Sequence, residues 1–268
     1  MEVFDFNQEE LLTFFAVLVR FSVLFAVLPI VGDRSVPGPL KVLLALCVTF
    51  ALFPALVHQG QIHPAEAAKW GSQVGSIVTT IGSEVLVGLA LGYTARLLFD
   101  AIHLGSNLAG NFMGFGMAST FDPHAESQTH VVAEIQMTIA TLAFLALDGH
   151  HLMLKAALES YKIVGLGQGA MTQLMSQRLM FFTGQVIRFG IQLAAPIAIS
   201  LFAVNVAFGV FSKALPQMNV MVLSMSVTAL IGLLVMLMSV PEFQTVTSNI
   251  LGRMEDWMQG TLLAMASR

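Results

Sequence analysis

Six apolar runs, at about 11–31, 40–57, 74–99, 131–147, 179–211 and 220–240, constrain this chain more than any motif in it. A helix rises about 1.5 Å per residue, so roughly 20 apolar residues match the ~30 Å hydrocarbon core of a bilayer. Each run is of spanning or near-spanning length and reads as a membrane helix. Composition agrees, because charged residues make up only 10% of the chain and hydrophobic ones 56%, against about 25% charge in a soluble domain. The expected fold is an all-α integral membrane protein, with about six long hydrophobic helices in packed hairpins.

A shorter stretch, 152–164, carries Lys155, Glu159 and Lys162 at helical spacing and suits an interfacial amphipathic helix, as does the tail from 242 to 268. Connections at 32–39 and 212–216 are short, the first rich in Gly and Pro and the second ending in Pro216, leaving no room for an attached soluble domain. The first ten residues hold Glu2, Asp5, Glu9 and Glu10 and no Lys or Arg, so they lack the basic region of a signal peptide, and the first run is expected to stay as structure. Lys and Arg are spread too evenly for a firm topology, and the acidic start favours a periplasmic N-terminus in a bacterial host. A net charge of -4 gives no footprint for nucleic acid, and the single Cys47 cannot close an internal disulfide.

Arg20, Glu84, Arg96, Glu134 and Arg188 stand inside apolar runs, where a bare charge costs at least about 2.5–3.5 kcal/mol. Three readings stay open: buried pairs within the chain or between subunits, an ion relay, or snorkelling, which fits Arg96 and Glu134 but not Arg20 or Glu84 in mid-run. Gly71/Gly75, Gly88/Gly92 and Gly110/Gly114 are spaced for close helix contact. The segment 105–123 sets Gly110, Gly114 and Gly116 among Phe112, Met113, Phe115 and Met117. So many glycines disfavour a stable helix, yet the segment is too apolar for an exposed loop. It reads either as a deformable apolar plug or as a packed re-entrant turn. Most methionines read as core filling.

Enzyme signatures fail on context. Residues 165–170 fit GxGxxA, but they follow an amphipathic helix rather than a strand, and no acidic residue occurs between Glu159 and Glu242 to hold a ribose. Asp148-Gly149-His150-His151 offers ligand types, but adjacent His side chains on a helix are expected to diverge, so a turn ending a span is the preferred reading. Neither a GxSxG elbow nor a P-loop is present. No catalytic residue, cofactor or metal is expected.

The residues just described also carry a family pattern. Arg20, Pro29, Pro37 and Lys41, then Glu84/Gly88/Gly92, the glycine-rich stretch ending Phe121-Asp122-Pro123, Asp148-Gly149-His150-His151 with Ser160, and Pro216-Gln217-Met218-Asn219 together resemble the FliR family, called SctT in injectisomes. The resemblance runs nearly end to end. It departs at Val164, where the family usually has proline, at Lys213, often Arg, and at 223–226, which replaces a Gly-Pro step.

This resemblance implies a single-copy subunit of the flagellar type III protein export gate in the bacterial inner membrane, within the basal body. It implies assembly with several copies each of FliP and FliQ, contact with FlhB and FlhA, surrounding membrane lipid, and unfolded flagellar proteins as substrate. Residues 1–170 would be FliP-like, with the plug at about 105–123, and 171–268 a FliQ-like helical hairpin with a C-terminal tail. The resemblance places Gly110, Phe112, Met113, Gly114, Phe115, Gly116 and Met117 in the channel plug. Asp148, Gly149, His150, Pro216, Gln217 and Asn219 are expected at motif turns, the last three capping the hairpin. The alternative is a stand-alone ion-coupled transporter using Glu84 and Glu134; it would commonly show internal repeats and needs no obligate partners. An intramembrane enzyme ranks third.

Overall fold

In a computed structural model, which describes residues 7–33, 35–115, 131–214 and 220–266, the apolar runs lie on helices. Proline sets the first boundaries. Helix α1, Gln8–Val27, stops short of residue 31 because Pro29 disfavours helical geometry at Leu28, which turns extended at φ -52° and ψ 139°. Helix α2, Gly38–His58, begins after Pro37 with another proline in its first turn, where the missing N–H would have had no helical partner. A 3-10 turn, Pro64–Glu66, and the single-turn α3, Ala67–Trp70, lead into α4, Val74–Phe112. Then come α5, Val131–Ala146, and α6, Gly149–Ile163. The remainder is α7, Gln173–Ala214, α8, Val220–Met238, α9, Val240–Leu251, and α10, Met254–Ala266.

The protein is therefore all-α among its described residues, with four helices long and apolar enough to cross a membrane, or up to six if each bent pair counts as one span. The bent pairs are α5 with α6 and α8 with α9–α10, each turning by 62°. Asp148, at φ 52°, makes the first bend, and Ser239 ahead of Pro241 makes the second. At 39 and 42 residues, α4 and α7 measure about 58 and 63 Å, twice a hydrocarbon core.

Helix α4 corrects one expectation. The glycine-rich stretch is helical from Gly105 through Phe112, not irregular, because tertiary contact offsets the helix cost of glycine. A Cβ on Gly105 would lie 2.8 Å from the Gly190 carbonyl oxygen and 2.8 Å from Leu193 Cβ, so α4 and α7 touch there backbone to backbone. The helix ends only past Phe112, where Gly114 takes φ 90°. Gly116 and Met117 fall outside the described residues, as do Pro216, Gln217 and Asn219.

The chain folds as two compact units. Unit 1 comprises Met1–Leu97, Gly149–Phe182 and Arg253–Arg268, and unit 2 comprises Leu98–Asp148 and Thr183–Gly252. Phe14 meets Phe53 edge-on in unit 1, and Phe182 stacks on Trp257 with centroids 4.1 Å apart. Thr172 caps α7 by accepting the Met175 N–H at 3.1 Å, and its hydroxyl donates to the Ala264 carbonyl at 2.6 Å. The core of unit 2 gathers Ala109, Met113, Val132, Ile197, Leu201 and Met236. Replacing Gly105 by Ala is expected to destabilise unit 2 by about 1–3 kcal/mol, read as a lower unfolding midpoint in detergent; an unchanged midpoint would show that the helices can part at no cost.

Candidate functional site

Arg20 and Glu84, each within an apolar run, face one another in unit 1 and are shut off from solvent, at 1% and 0% exposure. The guanidinium meets the carboxylate as a fork, Nε to Oε2 at 2.6 Å and Nη2 to Oε1 at 2.9 Å. Its other N–H groups are also occupied. Nη1 donates to Ser160 Oγ at 2.8 Å, and both terminal nitrogens reach the Val164 carbonyl at 3.4 Å. The Tyr161 ring covers the guanidinium face, 3.8 Å from Cζ to centroid, an arrangement that favours a desolvated cation.

Glu84 is held from the other side by the loop after α6. The Gly167 N–H donates to Glu84 Oε1 at 2.8 Å, and the Gly169 N–H donates to Ser83 Oγ at 2.6 Å. Gly167 takes φ 73°, which favours glycine, while a Cβ on Gly169 would collide with Val87. In the GxGxxA match of this loop, Gly167 brings its backbone amide onto the buried Glu84 carboxylate and Gly169 brings its own onto the neighbouring Ser83 hydroxyl. Their spacing in the sequence points only to a rejected nucleotide motif; the signal for their role is a glycine-rich, charge-free loop in a chain with an intramembrane carboxylate to satisfy.

Small residues let the pair form. A Cβ on Gly88 would sit 2.6 Å from the Arg20 carbonyl oxygen, and one on Gly92 would sit 2.9 Å from Val27 Cβ, so α1 lies directly on α4. Of the other glycine pairs, Gly71 abuts Leu12 and Gly75 faces open space. The resulting site joins α1, α4, α6 and the 164–169 loop through one ion pair. It is closed to ligand: every guanidinium N–H has an acceptor, and Glu84 Oε1 takes a second donor.

The remaining sequence-selected residues lie elsewhere. Arg96, Glu134 and Arg188 are exposed on the chain, and Glu134 belongs to unit 2 while Glu84 belongs to unit 1. In unit 2, Gly110 is buried in α4, Met113 is buried with its side chain where a Cβ of Gly232 would lie, and Phe115 packs against the same cluster. Phe112 is 45% exposed. Gly149 is buried at the start of α6, where His150 and His151 are exposed with ring centroids 4.1 Å apart. The two rings do not diverge as a regular helix would make them, because they occupy the first turn after the left-handed Asp148.

Removing one partner of the pair leaves the other charged and buried, so Glu84→Gln is expected to cost about 3–5 kcal/mol, while Arg20→Met combined with Glu84→Leu costs less than either single change. Arg20→Lys does not rescue, since an ammonium cannot fork onto a carboxylate and a serine at once. Thermal unfolding in detergent of these variants, together with the single changes Arg20→Met and Glu84→Leu, checks this; a double variant as unstable as the sum of its two singles would show that no coupling exists.

A model of the family described as bacterial export proteins, family 1, matches residues 11–254. The chain is 25% identical over 255 residues to the flagellar biosynthetic protein FliR of Bacillus subtilis, covering 93% of this chain and 94% of that protein. It is 27% identical over 228 residues to the protein of the same name in Escherichia coli, covering 85% and 84%. With the one in Aquifex aeolicus it shares 26% over 243 residues, 91% of each. Arg20, Glu84, Ser160 and the 164–169 loop all lie inside the matched region, and the chain belongs to the bacterial export proteins, family 1, the FliR-type family that its motifs resemble.

Proposed function

We propose that this chain is the FliR-type subunit of a flagellar protein export gate, one copy joining several of FliP and FliQ to form the channel that passes unfolded flagellar proteins across the inner membrane. The end-to-end match to flagellar biosynthetic FliR proteins carries this reading. The role is transport within the basal body and not catalysis, with FlhA and FlhB as further neighbours and energy supplied by other parts of the apparatus.

Several features support the finer picture. Large apolar side chains stand exposed on α7 and α8, among them Ile199 and Phe202 at 70% and Leu237 at 65%, which suits contact with lipid or with other subunits. Helices twice as long as a hydrocarbon core suit a subunit that rises out of the bilayer. In this reading residues 1–170 are the FliP-like part and 171–268 the FliQ-like hairpin, with Pro216, Gln217 and Asn219 capping its turn. Arg96, Glu134 and Arg188, exposed on the single chain, become subunit contacts. Gly110, Phe112, Met113, Gly114, Phe115, Gly116 and Met117 form the plug, with Met113 as its anchor in the core and Phe112 at its accessible end.

Native mass spectrometry of the tagged chain, expressed with its neighbouring membrane-protein genes, is expected to give a large complex holding one copy of this chain and several of two others. A lone folded chain or a homodimer would sink the proposal. Gly114, at φ 90°, tolerates no side chain without strain, so Gly114→Ala is expected to reduce secretion of flagellar subunits severalfold while the complex still assembles. Loss of the complex in that variant would make the segment structural instead.

A further inference from the structure

In unit 2, a cavity of about 10 Å³ lies between α5, the middle of α7 and the α8–α9 bend, with Gln136, Gln192, Ser239 and Glu242 on its polar side. That volume holds one water-sized occupant. Gln136 lies at its buried end, 4% exposed, and its Oε1 has no hydrogen-bond partner. A buried amide oxygen left unpaired is costly, so a partner is called for.

The oxygens nearby share this character. Pro196 lies within α7 and has no N–H, so the carbonyl of Gln192, four residues earlier, lacks its helical donor. The Ser239 hydroxyl donates to the Met236 carbonyl at 3.2 Å, which leaves its lone pairs as acceptors. Glu242, at the rim, adds a carboxylate, and the lining carries no basic residue. The cavity is thus rich in acceptors and carries a single negative charge. Oxygen-only sets of this kind suit hard cations. One carboxylate among neutral oxygens matches a monovalent ion, whereas divalent ions gather more charge.

We propose that this cavity binds one alkali cation, held by Gln136 Oε1, the Gln192 carbonyl and the Glu242 carboxylate, with Ser239 Oγ completing the set. Bound there, the ion ties α5 to α7, which Pro196 interrupts, and to the α8–α9 bend, where Pro241 stands in the first turn of α9. None of these residues has a part in the export role proposed above, so the site stands or falls separately.

The test uses the full chain in detergent, unfolded thermally in NaCl, KCl and choline chloride at equal ionic strength. The alkali salts are expected to raise the midpoint by roughly 2–4 °C over choline, saturating with concentration. Glu242→Gln, an exposed and isosteric change, should abolish that rise and leave the choline midpoint in place. Sodium-23 NMR gives a second readout: line broadening by the native chain, lost in Glu242→Gln and in Gln136→Leu. Equal midpoints in all three salts, or broadening that survives both substitutions, would overturn the site and assign the cavity to a water molecule.

Discussion

A buried ion pair is stable only when its surroundings complete it, and unit 1 is arranged around that requirement. Desolvating a guanidinium and a carboxylate costs several kcal/mol each, an amount that a bare salt bridge repays poorly. Arg20 and Glu84 meet the demand by distributing it over serine, tyrosine and backbone partners. Four consequences follow in the sequence. Position 88 has to be glycine-sized for α1 to reach α4, residue 160 must be small and hydroxylated, residue 161 must be aromatic, and residue 167 must accept a left-handed backbone.

Unit 2 solves a different problem with related means. It has no comparable ion pair among its described residues, and its helices approach through absence of side chain, at Gly105 against Gly190 and at Gly232 against Met113. Methionine suits the second contact because an unbranched thioether fills irregular gaps. Met113 is therefore both the first residue beyond α4 and a member of the core, so that a segment beginning there starts from a fixed point.

These constraints connect to export through what they leave outside. With the charged pair buried inside unit 1, α2 presents a large apolar face outward, and α7 and α8 in unit 2 do the same, as required of a chain that lies against lipid or neighbouring subunits. A closed Arg20–Glu84 pair also argues against ion coupling through Glu84, since a relay needs a carboxylate that can exchange its partner.

Much of the fold was legible in the chain. The apolar runs located the long helices, Pro29 and Pro37 marked the first boundaries, and charge scarcity named the solvent. Arg20 and Glu84 could be recognised as costly, because an intramembrane charge stands out by type alone. Their partnership could not be read, because it spans 64 residues, and neither could the part played by Ser160, Tyr161 and Gly167. Those residues look ordinary, and their roles exist only once three helices and a loop converge. The same holds for the glycine stretch at 105–112: local propensity argued against a helix, and the Gly105–Gly190 crossing overruled it, because backbone contact between helices is a property of two segments and not of either one.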